Sequence, residues 1–251
     1  MDITFIGTGS GRASPLRFHS SLMISVPGYN LLVDTGDSIA RALLARNISY
    51  NSINGILISH LHPDHFSGFA SLIVQMQMSD RKEPLYVFIH NTLVKKIKDF
   101  LALSYIFMER MKFPLNFTGF DMEKEISVFP DLSFISRQNT HLDEYKKYDA
   151  TLSYISGSFL FRSGNKNVYY TGDIGSSEDL FLFKESRINV FITEAAHVEP
   201  DSILALSEKL KPGTIYLTHL EEEDILHIKE ILDKAGNPEI IMAEEGLQIS
   251  V

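Results

Sequence analysis

Residues 55–65 read Gly55-Ile56-Leu57-Ile58-Ser59-His60-Leu61-His62-Pro63-Asp64-His65. The opening Gly55–Ser59 is a short apolar run, the composition of a strand buried on both faces. The next six residues carry three histidines and an aspartate. Side chains alternate along an extended backbone, so His60, His62 and Asp64 fall on one side. Pro63 stops a regular strand from continuing, and His65 can turn inward at the start of a following helix. A lone histidine is ordinarily a loop residue. Four nitrogen and oxygen donors packed this closely behind a hydrophobic strand read instead as a metal-binding pattern.

The rest of the chain supplies strands and helices around that stretch. Before it, Ile3–Ile6 reads as a strand that stops at Gly7-Thr8-Gly9-Ser10-Gly11. Ser21–Val26 and Asn30–Val33 read as a hairpin across Pro27-Gly28-Tyr29, ended by Asp34-Thr35-Gly36. Ile39, Leu43 and Leu44 give Ser38–Asn47 the spacing of an amphipathic helix. After it, Phe66–Met78 reads as a helix, Leu85–Ile89 as a buried strand and Leu93–Met111 as mostly helical, with Lys95, Lys96 and Lys98 on a solvated face. Strands are expected at Ser127–Phe129, Leu132–Arg137, Leu152–Ile155, Ser158–Arg162, Val168–Thr171, Val190–Thr193, Thr214–Thr218, Glu239–Met242 and Leu247–Val251, with a last helix from about Glu221 to Lys234. Ile215-Tyr216-Leu217-Thr218-His219-Leu220 echoes Ile56-Leu57-Ile58-Ser59-His60-Leu61. The echo points to two related halves, each delivering a histidine from the end of a central strand, where ligands of α/β proteins gather.

Composition narrows the chemistry. The 251 residues are 44% hydrophobic, enough for one large domain over residues 1–251. There is no cysteine, so disulfides, thiolate metal sites and a cysteine nucleophile are excluded. The net charge of −9 disfavours a protein that coats nucleic acid, although bound divalent ions would offset charge where a phosphate sits. The first residues carry no signal-peptide pattern, and no apolar run approaches the roughly 18–20 residues that span a membrane. A soluble cytoplasmic protein is expected.

The chain resembles the metallo-β-lactamase superfamily, whose signature is His-x-His-x-Asp-His. The resemblance runs nearly the whole length. Asp34 in Val33-Asp34-Thr35-Gly36 fits the early aspartate, His141 in Thr140-His141-Leu142 the third histidine motif, Asp173 in Tyr170-Thr171-Gly172-Asp173 the bridging carboxylate, and His219 in Leu217-Thr218-His219-Leu220 the last histidine. Their order is the family's order. The resemblance implies an α/β fold, a four-layer αβ/βα sandwich of two mixed β-sheets flanked by helices. It implies that His60, His62 and His141 bind one metal, that Asp64, His65 and His219 bind another, that Asp173 bridges them and that Asp34 orients a ligand histidine from behind. Zinc suits such ligands, with manganese or iron as alternatives. Two ions about 3.5–4 Å apart can share a metal-bound hydroxide and stabilise charge on the group it attacks.

Fold does not choose the reaction. The opening Phe5-Ile6-Gly7-Thr8-Gly9-Ser10-Gly11, followed by Arg17-Phe18-His19-Ser20-Ser21, is similar to the ribonuclease Z and phosphodiesterase branch, as is Glu194 in Thr193-Glu194-Ala195-Ala196. The sequence departs from ribonuclease Z in three respects. It has no glycine- and proline-rich arm for transfer RNA, it lacks the separate His-Ser-Thr motif, and it is acidic. The expected activity is a dinuclear zinc phosphodiesterase acting on a small or nucleotide phosphodiester, such as a cyclic nucleotide or cyclic sugar phosphate. Alternatives are a transfer RNA 3′-processing endoribonuclease with RNA as substrate, a thioester or lactone hydrolase, and an iron-dependent oxidoreductase on the same fold. Members that reduce oxygen at two irons put an acidic residue where His62 stands here and carry a flavin domain, neither of which is present. Dimers are common in this branch, so a homodimer is a further expectation.

His197 lies three residues after Glu194. The expectation is that Glu194 orients His197, which donates a proton to the leaving oxygen, with Asp64 as the third catalytic residue. Lys146 and Lys147 are a candidate phosphate contact, set against the simpler reading of a solvated pair. Gly7–Gly11 lacks both the Walker lysine and the dinucleotide spacing and reads as a tight turn bordering the site.

Overall fold

The computed structural model describes residues 1–235 and 239–251. The first sheet is built from β1 (Asp2–Gly7), β2 (Ser21–Val26), β3 (Tyr29–Val33), β4 (Gly55–Leu57), β5 (Leu85–His90) and β6 (Leu115–Phe120). The second takes β7 (Glu125–Phe129), β8 (Leu132–Gln138), β9 (Gly157–Ser163), β10 (Lys166–Tyr170), β11 (Val190–Glu194), β12 (Thr214–Thr218) and β13 (Ile240–Met242), and β14 (Gln248–Ser250) returns to the first. Strand order is β14-β1-β2-β3-β4-β5-β6 in one sheet and β13-β12-β11-β10-β9-β8-β7 in the other. Both sheets are mixed: β3 to β6 run parallel, as do β10 to β13, and the hairpins are antiparallel.

Each sheet hides one face against the other and one against helices. Phe5, Leu31, Leu57, Phe134, Phe161 and Ile192 fill the space between sheets. Helices α1 (Ile39–Ala45), α2 (Pro63–Phe66), α3 (Phe69–Met78) and α4 (Asn91–Leu103) belong to the first half, where Leu43, Phe69, Ile73 and Ile97 pack on the first sheet. Helices α5 (Pro200–Leu210) and α6 (Ile225–Ala235) place Ile203, Leu206 and Ile228 on the second. Strands buried on both faces are rich in apolar residues, which is why β4, the Val190–Ile192 part of β11 and the Ile215–Leu217 part of β12 read as apolar runs. The four-layer αβ/βα sandwich of two mixed β-sheets flanked by helices expected from sequence is the observed fold.

Several local expectations need correction. The helix foreseen over Phe66–Met78 is broken at Ser67-Gly68. A side chain at Gly68 would meet the Gly36 carbonyl at 2.2 Å, so the Asp34–Gly36 loop presses on the backbone there, and Gly68 N–H donates to Thr35 O at 2.9 Å. The helix foreseen to Met111 ends at Leu103, with Tyr105 in the left-handed region at φ 57°. Beyond that turn the chain enters β6, a strand the helical pattern conceals. Leu152–Ile155 is not a strand; it is an irregular segment bound to Gln138 through the Tyr154 carbonyl. The last helix begins at Ile225 rather than Glu221.

Candidate metal centre

The parallel strands end on one edge of the sandwich, and the ligand-type side chains leave from those ends. β4 stops at Leu57, the chain stays extended through His62, and α2 begins at Pro63. Proline suits the first helical position because its missing N–H has no intrahelical partner there. The turn swings Asp64 and His65 back toward His60.

Asp34, at the end of β3, governs this arrangement. Its carboxylate accepts from Ser59 N–H (2.8 Å), Ser59 Oγ–H (2.8 Å), His65 Nδ1–H (2.8 Å) and the Tyr170 hydroxyl (3.3 Å). An ionised carboxylate only accepts, so Ser59 spends its one proton on Asp34. His60 Nδ1, 3.1 Å from Ser59 Oγ, must therefore be the donor in that contact. Nδ1 being the donor in both rings, the Nε2 atoms of His60 and His65 are the ones that would offer a lone pair to a metal. Both Nε2 atoms are buried without a hydrogen-bond partner.

Those lone pairs face a cluster. The donor atoms of His60, His62 and His141 lie within 4.8 Å of one another, as do those of Asp64, His65, Asp173 and His219. His62 Nδ1 and His141 Nε2 converge to 3.0 Å. Asp173 stands between the groups: Oδ1 is 3.1 Å from His65 Nε2, and Oδ2 is 3.2 Å from His219 Nε2 and 3.8 Å from His141 Nε2. A lone pair on His65 facing carboxylate oxygens is repulsive unless a cation or a proton lies between. The residues present therefore fit divalent metal ions.

Protonation states agree. Burial drives His60 well below its ordinary pKa, lowers His62, and pushes His141 down to about 4. Burial opposes ionisation of Asp64 and Asp173, but the His219 and His65 contacts outweigh it and hold both well below the carboxylate range. Neutral imidazoles and ionised carboxylates are the metal-binding forms. His65 and His219 behave oppositely: burial lowers them, and Asp173, with Asp34 or Asp64, raises them more. In the absence of metal they hold protons where a cation would otherwise sit.

The loops carrying the later residues are pinned by side chains that no sequence motif singles out. Asn139 donates through Nδ2 to the carbonyl of Asp173 at 2.9 Å and accepts His141 N–H at 3.2 Å. Buried Asp179 accepts from Thr140 N–H, Thr140 Oγ–H, Gly175 N–H and Ser176 N–H. Gly172 takes φ +60°, and a side chain there would also meet Gly157 O at 3.0 Å. His219 adopts φ 54° without being glycine, a strained conformation that functional sites commonly hold. The contacts of Ser59 with Asp34, Asn139 with Asp173 and Asp179 with Thr140 had no local signal, since the partners lie 25, 34 and 39 residues apart. Tyr170 stands out in the sequence only as a neighbour of Asp173.

Glu194, at the end of β11, and His197 do meet: His197 Nδ1–H donates to Glu194 Oε2 at 2.6 Å and His197 N–H to the same oxygen at 2.9 Å. The Glu194 hydrogen bond raises His197 to about 9. The His197 ring is half-exposed, with centroids 5.6 Å from His141 and 5.7 Å from His219. Lys146 and Lys147 take the simpler reading: Lys146 pairs with Asp143 at 2.6 Å and Lys147 lies over the Tyr148 ring. Lys95 and Lys98 are exposed as expected, whereas Lys96 is half-buried. Gly11 borders the cluster, since a side chain there would come within 3.1 Å of Asp64 Oδ2.

Fold and cluster together define a metallo-β-lactamase-fold protein with the ligand chemistry of a metal-dependent hydrolase, near the ribonuclease Z branch. The chain belongs to the family described as "Anti-Pycsar protein Apyc1", whose profile matches residues 1–239. Ribonuclease Z of Methanococcus maripaludis is 33% identical over 116 residues, which is 46% of this chain and 37% of that protein. Ribonuclease Z of Saccharolobus solfataricus is 37% identical over 105 residues, 42% of this chain and 35% of that one. The matched segments thus span little more than a third of these relatives. Among solved structures, the short form of human tRNase Z superposes with a TM-score of 0.72 at 19% identity, covering 100% of this chain and 99% of that one. The clustered histidine and aspartate donors support divalent metal use.

Proposed function

We propose that the protein is a dinuclear zinc phosphodiesterase that acts on a small or nucleotide phosphodiester. The observation that carries this reading is the pair of donor groups joined by Asp173. His60, His62 and His141 would hold one ion, Asp64, His65 and His219 the other, with Asp173 between them and Asp34 behind His65. When bound, two such ions supply a nucleophile at neutral pH and positive charge beside the phosphoryl oxygens. His197 sits at the cluster's rim with Nδ1 committed to Glu194. Its other ring nitrogen is free to give a proton to the leaving oxygen, a step typically worth about 10²–10⁴ in rate.

A small substrate is favoured over transfer RNA. Between the first motif and His141, the described residues form α3, β5, α4 and the strands β6 to β8, with no projecting arm, and the chain is acidic.

The test is hydrolysis of bis-p-nitrophenyl phosphate at measured zinc content. Turnover should rise with zinc to about two ions per chain and vanish in Asp64→Ala. Two bound ions without turnover, together with hydrolysis of a thioester or lactone, would replace the phosphodiester reading.

A further inference from the structure

β10 sends alternate side chains to opposite faces of its sheet. Val168 and Tyr170 enter the apolar layer between the two sheets, whereas Tyr169 packs on the helix side. Tyr170 is 2% exposed and shares its layer with Leu57, Phe134 and Phe159. A phenylalanine would fill such a place with no polar atom to satisfy, and burying a hydroxyl is costly unless it is hydrogen-bonded. The Tyr170 hydroxyl crosses the layer to Asp34 of the first sheet and donates to Oδ2 at 3.3 Å. Burial and the Asp34 charge raise its pKa well above the ordinary tyrosine value, so it remains a donor.

Asp34 is itself fully buried. An ionised carboxylate offers about four acceptor sites, and Ser59 N–H, Ser59 Oγ–H and His65 Nδ1–H occupy three of them. Tyr170 supplies the fourth donor, and of the four it alone comes from the second sheet. Three residues further along stands Asp173, whose Oδ1 is 3.1 Å from His65 Nε2. The two nitrogens of His65 thus face groups that Tyr170 ties together, Asp34 through its hydroxyl and Asp173 through the short Thr171-Gly172 segment. We propose that Tyr170 is a positioning residue of the metal centre: by completing the hydrogen-bond shell of Asp34, it holds the His60 and His65 rings of the first sheet in register with Asp173 of the second. The inference rests on the reading of these side chains as ligands of two ions. Ligand constellations of this kind must be held to within about 0.5 Å, and this one is assembled from two separate sheets. A hydroxyl spanning the gap between them restrains that assembly where apolar packing alone would let the sheets slide.

The experiment compares the parent protein with Tyr170→Phe, which removes one oxygen and keeps the ring, so the layer stays filled. Competition with a chromophoric chelator reads the zinc constants, and calorimetry of the metal-free protein checks the fold. Both zinc constants should weaken by about tenfold, the lower end for outer partners of metal-binding histidines, because Asp34 serves one histidine of each donor group. The His65 Nδ1–H resonance of the zinc-loaded protein should also move, since Asp34 Oδ2 is then shared among fewer donors. A lower metal-free melting temperature with both constants and the resonance unchanged would mark a packing hydroxyl and overturn the proposal. So would a fall in one constant alone, which would confine Tyr170 to one ion. Bis-p-nitrophenyl phosphate turnover on the same samples separates the two readings. Unchanged constants in the variant of an active parent reject the positioning role alone. Weakened constants in the variant, beside a parent that binds two ions without turnover, reject the phosphodiesterase alone.

Discussion

Asp34 holds its position in the left-handed backbone region, at φ 63°, and directs the tautomers of two histidines, one from each donor group. It reaches His65 directly and His60 only through the Ser59 hydroxyl. Outer partners of metal-binding histidines are typically worth about 10–100-fold in metal affinity. Ser59→Ala should therefore weaken one of two bound zinc ions by that factor and spare the other, and Ser59→Thr should restore it. Competition with a chromophoric chelator reads both constants; equal loss of both ions would reduce Ser59 to a packing role. His197 gives a second residue-level expectation. Its pKa is raised to about 9, so the proton is retained through neutral pH and lost as pH rises through about 9. Imidazole NMR of metal-free protein should show that titration, moving down toward the ordinary value near 6.5 in Glu194→Gln. Any stability His197 adds is full below about 6.5 and gone above about 9. The four donors of the first motif were legible because they are adjacent in sequence. The Ser59 relay was not, because a serine before a histidine is ordinary until Asp34 is brought beneath it from 25 residues away.

Among the elements, strands buried on both faces were the clearest to read, since β4 and the centres of β11 and β12 are apolar runs. Helix ends were harder. α4 stops where Tyr105 turns left-handed, a choice that lets the chain reach β6, and Leu115-Asn116-Phe117 carries too short an alternation to outweigh the helical pattern before it. The break between α2 and α3 has a tertiary cause. Gly36 and Asp64 also approach so closely that a side chain on Gly36 would stand 1.8 Å from the Asp64 carbonyl oxygen, a demand no local pattern encodes. Leu152–Ile155 misled for the opposite reason: its apolar residues face a cavity beside His62 rather than a neighbouring strand.

At the scale of the molecule, the cluster draws on both sheets. His60, His62, Asp64 and His65 follow β4 of the first, whereas His141, Asp173 and His219 follow β8, β10 and β12 of the second. Bound ions would tie the two halves together at one edge. Free zinc at 100 times its dissociation constant adds about 2.7 kcal/mol to stability for one site. For a chain of this size, that corresponds to roughly 5–11 °C in melting temperature. Chelation followed by calorimetry should show a fall of at least that order, reversed by zinc; an unchanged melting temperature would mean that zinc does not bind the folded chain in preference to the unfolded one.

The two central strands carry one more consequence. β4 is hydrogen-bonded in parallel on both sides, to β3 and β5, and β12 likewise to β11 and β13. A slip of one residue turns every side chain to the opposite face and would carry His60 or His219 out of reach of the cluster. Bound ions would therefore act as a proofreading step for the chain's own assembly, since only the correctly registered sandwich would complete the cage and gain their binding energy.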